Sequence, residues 1–184
     1  MIFDTYKKPF PSLTGYYWGM YFVFEPLSLL GPLFTVFFDK SKGTSWFYNE
    51  LVPLNDNPGP LHDRSIMVVW QLVNSYVLLA CALTIAYTNI RDLTTRDLVS
   101  QEKRVGFILA LLSLGDITHL LATVVALPEH LRFDPGAWNG MLHGQINFVI
   151  VLLVGRLAWF LGIGRQSYYF TAKQATPGRS GQKA

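Results

Sequence analysis

Four stretches of the chain are too long and too poor in charge for any environment but a membrane. They lie near Leu13–Phe38, Ile66–Ile90, Val105–Leu127 and Gly140–Gly162. Each supplies the roughly 20 apolar residues that a helix needs to cross about 30 Å of hydrocarbon. Hydrocarbon offers no water to backbone N–H and C=O groups, so each span must be a helix that satisfies its own. The expected fold class is all-α: an antiparallel four-helix integral membrane bundle, one domain over residues 1–175. The polar stretch 176–184 is expected to be disordered. The first span does not read as a cleavable signal peptide. It is too long, lacks a small-residue cleavage site, and carries Glu25-Pro26 at its centre.

Composition agrees and narrows the function. Hydrophobic residues make up 51% of the chain and charged residues 15%, against roughly 25% charged in soluble domains. The single cysteine, Cys81, excludes an intrachain disulfide framework and any CxxC motif. A net charge of +3 without a basic, aromatic-interleaved face argues against nucleic acid as a partner.

The longest connection, Asp39–Ser65, contains Trp46, Phe47 and Tyr48 and then Pro53, Pro58, Gly59 and Pro60. Aromatics beside a span mark the membrane interface. A short interfacial helix is expected there, and the segment is placed either to cover a cavity mouth or to serve as a plain connector. Lys and Arg distribution sets orientation. The N-terminal segment, second connection and tail carry ten, the first and third connections four. By the positive-inside rule both termini are expected in the cytoplasm, the membrane being that of the endoplasmic reticulum.

Ionisable and amide side chains inside the spans are costly and therefore mark candidate function. Glu25 and Asp116 lie near the middle of the first and third spans. Asp116 and His119, and likewise Gln71 and Asn74, have i, i+3 spacing and share a helix face. His143 and Asn147 do so at i, i+4. At 1.5 Å per residue, Asn74, His119 and Asn147 fall about 10–12 Å below the non-cytoplasmic boundary, Asp116 about 16 Å and His143 about 5 Å. One polar cavity shared by all four helices is the expectation. Gln71, Asn74 and Asn147 have an alternative role as interhelical hydrogen-bond glue, and Asp116–His119 as a self-satisfied packing pair. Arg156 falls in the cytoplasmic half of its span, away from this zone. It is expected to snorkel or to bind a carbonyl, and Arg156→Lys to be almost silent for chemistry.

The stretch Tyr16–Pro32, YYWGMYFVFEPLSLLGP, resembles the first-span signature of a small fungal four-helix membrane family of unknown function. The likeness rests on Phe24-Glu25-Pro26-Leu27-Ser28 and Gly31. Chains of this length also resemble the membrane hydrolases encoded beside polyketide synthases in aurovertin- and citreoviridin-type pathways. That second likeness implies opening of a polyene-derived epoxide, by hydrolysis or ring closure; Glu25, Pro26 and Ser28 alone are carried over, and they come from the first-span motif.

The residues themselves favour a membrane-embedded acid–base enzyme acting on a lipophilic small molecule. One carboxyl would take a proton from water or a hydroxyl while the other gives one to the epoxide oxygen. Two carboxyls in one cavity divide these roles by separating in proton affinity. Asp116, oriented by His119, is the expected base and Glu25 the expected acid, with the reverse open. Gln71, Asn74, Tyr76, His143 and Asn147 are the expected substrate-binding residues. No cofactor or metal is expected, since no metal-ligand spacing is present. The alternatives are a lipid- or sterol-binding membrane protein without turnover and an isomerase acting by proton transfer. A third is a haem protein using His119 and His143, whose depths differ by about 7 Å. Substrate identity and oligomeric state are not legible.

Overall fold

The computed structural model describes residues 9–38, 42–51 and 61–169. Six helices form it, and four of them are long and apolar enough to span a membrane: α1 (Trp18–Phe38), α3 (Asp63–Leu93), α4 (Leu98–Ala126) and α6 (Gly140–Phe160). The short α2 (Lys42–Leu51) and α5 (Glu129–Arg132) lie in the first and third connections. The chain is a multi-pass membrane protein with an all-α fold. The helix expected around Trp46–Tyr48 is α2. The expected disordered stretch 176–184, and the Asp39–Ser65 connection at 39–41 and 52–60, lie outside the described residues.

Successive spans run antiparallel, so the described chain begins and ends at one end of the bundle, here termed the terminal end. Segments 9–17 and 161–169 meet there, Tyr17 Oη donating to Ile163 O at 2.5 Å; Trp159 Nε1 of α6 donates to Ser12 O at 3.0 Å, and Ser12 N to Gln101 Oε1 of α4 at 3.1 Å. The distal end holds α2, α5 and the start of α6. Observed spans begin and end up to seven residues from the expected bounds. The largest difference is α4, which starts at Leu98 because Asp97 caps it, its side chain accepting from Ser100 N at 3.0 Å.

Two spans are not uniform α-helix. In α1 a π-helical segment, Trp18–Phe24, precedes the α stretches Glu25–Leu29 and Gly31–Phe38. Pro26 has no N–H to donate, and the turn ahead of it widens so that Glu25 N bonds Met20 O, five residues back. A second π segment, Gly144–Phe148, interrupts α6.

Lipid tails are as apolar as leucine, so packing between the helices rests on shape and polar contacts more than on hydrophobic transfer. The outer surface is accordingly rich in exposed Leu, Ile, Val and Phe, among them Leu78, Phe107, Leu121 and Val154. Two clusters are buried. The larger, toward the terminal end, gathers Phe10, Leu13, Tyr21, Phe22, Tyr87, Leu109 and Trp159. The smaller, toward the distal end, joins Val36 of α1, Phe47 of α2, and Val69 and Val73 of α3. Close approach seats α2 on α1, where a Cβ at Gly43 would collide with Thr35 O.

Candidate functional site

Three spans converge on one buried ionic cluster. Arg156 of α6 is fully buried and donates through Nη2 to Glu25 Oε1 of α1 and through Nη1 to Asp116 Oδ2 of α4. Glu25 is 6% exposed. The direction of each helix explains the meeting. Helical side chains lean toward their own N-terminus. α1 and α4 begin at the terminal end, so Glu25 and Asp116 lean back toward it. α6 begins at the distal end, so Arg156 leans toward the bilayer centre. The guanidinium, with five donors in a planar fork, then serves two carboxylates at once.

This corrects the expectation that Arg156 snorkels away from the polar zone. Its backbone does lie toward the terminal end, four residues before the end of α6. Its side chain reaches inward. The guanidinium carbon stands 5.3 Å from the Tyr21 ring centroid, over the ring and within cation–π range. Tyr21 Oη donates to Leu152 O at 3.0 Å and lies where a Cβ on Gly155 would be. Gly155 therefore makes room for the ring that covers Arg156. Tyr87 is fully buried on α3 within electrostatic range of Glu25.

The cluster is incompletely satisfied. Glu25 Oε2, Arg156 Nε and Tyr87 Oη are buried with no hydrogen-bond partner among the described residues. Unmade hydrogen bonds of buried polar groups are costly, and such groups are uncommon in native interiors. They leave the cluster with capacity for a further donor and acceptor.

The other sequence-derived candidates are arranged differently. Gln71 and Asn74 lie on the exposed face of α3, because its buried stripe follows Val69, Val73, Ala80, Leu83 and Tyr87. The single cavity shared by all four spans is therefore not what these residues form. Tyr76 is half-buried against the distal cluster. His119 is exposed one turn beyond Asp116, within electrostatic range of it. His143 and Asn147 engage each other, Nδ1 and Nδ2 being 2.9 Å apart, and the His143 ring packs 5.4 Å from that of Trp138. No group of three or more His, Cys, Asp or Glu is placed to hold a metal ion among the described residues.

A separate cavity of about 710 Å³ opens at the distal end, between the last residues of α2, the end of α4, α5 and the start of α6. Asn139 closes one side, donating to Glu50 O at 2.8 Å and capping α6 by accepting from Leu142 N at 2.9 Å. Thr123 of α4 lines it, seven residues and thus two turns, about 10 Å, from Asp116 on the same helix face. Neither carboxyl of the cluster lines it.

At the terminal end Glu102 gathers a second polar group. Its Oε1 accepts from Arg165 Nη1 at 2.6 Å and Ser167 Oγ at 2.8 Å; its Oε2 accepts from the backbone of Tyr168 and Tyr169 at 2.6 and 2.7 Å. Every acceptor direction of this carboxylate is engaged, so it fastens the chain that follows α6.

A family model described as a domain of unknown function (DUF7704) matches residues 11–166, from the turn before α1 to the segment that Glu102 holds. No curated protein and no solved structure matches the chain.

Proposed function

The chain belongs to the DUF7704 family, and we propose that this member is a membrane-embedded acid–base enzyme that opens an epoxide on a lipophilic small molecule. One observation carries the reading: Arg156 holds Glu25 and Asp116 side by side in a buried site, with Glu25 Oε2 and Arg156 Nε still unpaired.

Charge balance supplies the chemistry. One guanidinium and two ionised carboxylates would leave a net negative charge away from water, which is expensive. A single proton shared between the carboxyls makes the cluster neutral. The pair then consists of one carboxylic acid and one carboxylate, the two states that general acid and general base catalysis need. In the step, the acid donates its proton to the epoxide oxygen as the C–O bond breaks. The carboxylate takes a proton from water, or from a hydroxyl of the same molecule, as the new C–O bond forms. The product is a diol or a cyclic ether; the acid's proton ends on the former epoxide oxygen, the nucleophile's proton ends on the other carboxyl, and the two carboxyls have exchanged protonation states. Arg156 orients both groups and offsets the charge that moves between them.

The likeness of family members of this length to polyketide-pathway membrane hydrolases supports the epoxide as substrate, and with it a role in fungal secondary metabolism. The ten-to-four Lys and Arg asymmetry supports cytoplasmic termini, and the endoplasmic reticulum is the membrane we assign. The same groups would serve a proton-shifting isomerase.

The test is turnover of a panel of lipophilic epoxides by purified protein in nanodiscs. Glu25→Gln and Asp116→Asn keep shape while removing proton exchange, and each should lower turnover about 10²–10⁴-fold. His119→Ala should cost less. Parent-like turnover in both carboxyl variants would overturn the acid–base assignment, and binding without turnover by the parent would favour a lipid- or sterol-binding protein.

A further inference from the structure

We propose that the distal cavity is a binding site for a neutral, alcohol-headed lipophilic molecule. Resting on the reading above, we take it as the chamber that presents substrate to the Glu25–Arg156–Asp116 cluster. At about 710 Å³ it falls within the size range of pockets that enclose drug-sized ligands. Its walls are largely apolar, with Ala122 and Ala126 of α4 opposite Leu131 and Leu142. The two alanines, four apart, leave a shallow stripe along one face of α4.

The polar lining selects the head group. Thr123, Gln145 and Asn49 offer a hydroxyl and two amides, which can both give and accept hydrogen bonds. Glu50 is the only ionisable residue lining the cavity among the described residues. No cation is among the lining residues, and the neighbouring Arg132 is turned to the carbonyls of Val125 and Leu127, so a carboxylate or phosphate head would be desolvated beside a like charge. A hydroxyl or carbonyl meets no such penalty.

The fold also supplies a direction. Thr123 and Asp116 are two turns apart on one face of α4, about 10 Å. A molecule with its head at Thr123 and Gln145 that extends along this face brings a group some eight or nine bonds away to the two carboxyls. The cavity would thus set which position of a long chain reacts.

Photolabelling of the full chain in nanodiscs tests this without any variant. The probes are a diazirine-bearing farnesol-length alcohol and the same chain ending in a carboxylate. The alcohol should label Ala122–Leu131 and Met141–Gln145, with the carboxylate labelling about tenfold less there. Labelling confined to the outer faces of α3 and α4, or equal labelling by both probes, would overturn the proposal. Ala126→Trp, which fills the space, should abolish both alcohol labelling and epoxide turnover, while Glu25→Gln should label like the parent. If Ala126→Trp folds and turns over normally, the chamber is wrong and the acid–base reading stands. If the carboxyl variants turn over normally but the labelling pattern holds, the binding site stands and the acid–base reading falls.

Discussion

Arg156 and Glu25 are bound to each other from helices of opposite direction, and the same guanidinium holds Asp116. The relation ties α1, α4 and α6 together at one level of the bundle. Such a cluster is poor evidence of stability in itself, because desolvation of buried ions often offsets their attraction. Its unpaired atoms and the ring of Tyr21 against it describe a site kept polar at a cost.

Tyr21 and Gly155 should be coupled. Gly155→Ala puts a methyl where Tyr21 Oη lies, forcing the ring from Leu152 O and from Arg156. Overpacking of this kind costs about 1–3 kcal/mol. Tyr21→Phe removes the colliding atom, so the double variant should be more stable than Gly155→Ala alone. A double-mutant cycle by thermal unfolding in detergent reads the coupling. Simple additivity would mean that the ring has room to move aside.

Asp97 gives a pH dependence of known sign. Hydrogen bonds from Ser100 at the start of α4 hold its carboxyl below the ordinary aspartate value. A depressed folded pKa contributes stability above the unfolded value, lost as pH falls through the folded one. The parent should therefore melt higher than Asp97→Ala at neutral pH, and the gap should narrow steadily below about pH 4. Melting curves of both proteins from pH 7 to pH 3 check this. A gap independent of pH would assign the effect to helix propensity.

The number and rough bounds of the spans were legible because a bilayer imposes length and apolarity on any chain that crosses it. Glu25 and Asp116 were legible as candidates for the related reason that carboxyls in hydrocarbon need a purpose. Arg156 was not, because depth was counted along backbones. Its Cα lies roughly 9 Å from the level of Asp116 by residue rise, and the lean of side chains toward each helix N-terminus closes that gap. A usable signal was present: it is the one Lys or Arg inside the four apolar stretches, against two acidic residues there. Gln71 and Asn74 misled for another reason. Depth places a residue along a helix but not around it, and only the stripe from Val69 to Tyr87 shows which face of α3 turns inward.

Glu102 should control the order of the segment beyond α6. Its carboxylate accepts from two consecutive amides, Tyr168 and Tyr169, and from Arg165, whose guanidinium carbon also lies 3.8 Å from the Trp159 ring centroid. Glu102→Ala removes the acceptor for all of them. Hydrogen exchange of the Tyr168 and Tyr169 amides should accelerate by about tenfold or more, with the amides of mid-span α4 unchanged. Unchanged exchange at 168 and 169 would mean that other contacts hold the segment.

The sharpest prediction separates a structural role of Arg156 from the chemical role proposed for it. Arg156→Met leaves two carboxyls facing each other without their cation, and breaking a buried pair from one side costs about 3–5 kcal/mol. Arg156→Lys keeps the charge but offers a point ammonium in place of a planar fork, so it cannot hold Glu25 and Asp116 in the same geometry. It should purify less stable than the parent and turn over epoxide poorly, contrary to what depth along the span implies. The triple change Glu25→Leu, Asp116→Leu, Arg156→Met replaces the whole ion cluster by apolar side chains. Such replacements are often neutral or stabilising, so its melting temperature should return to the parent's or exceed it. Turnover should stay absent. If the triple variant is as unstable as Arg156→Met, the cluster is chiefly a packing device. Recovered stability without recovered turnover would place the three residues in the chemistry.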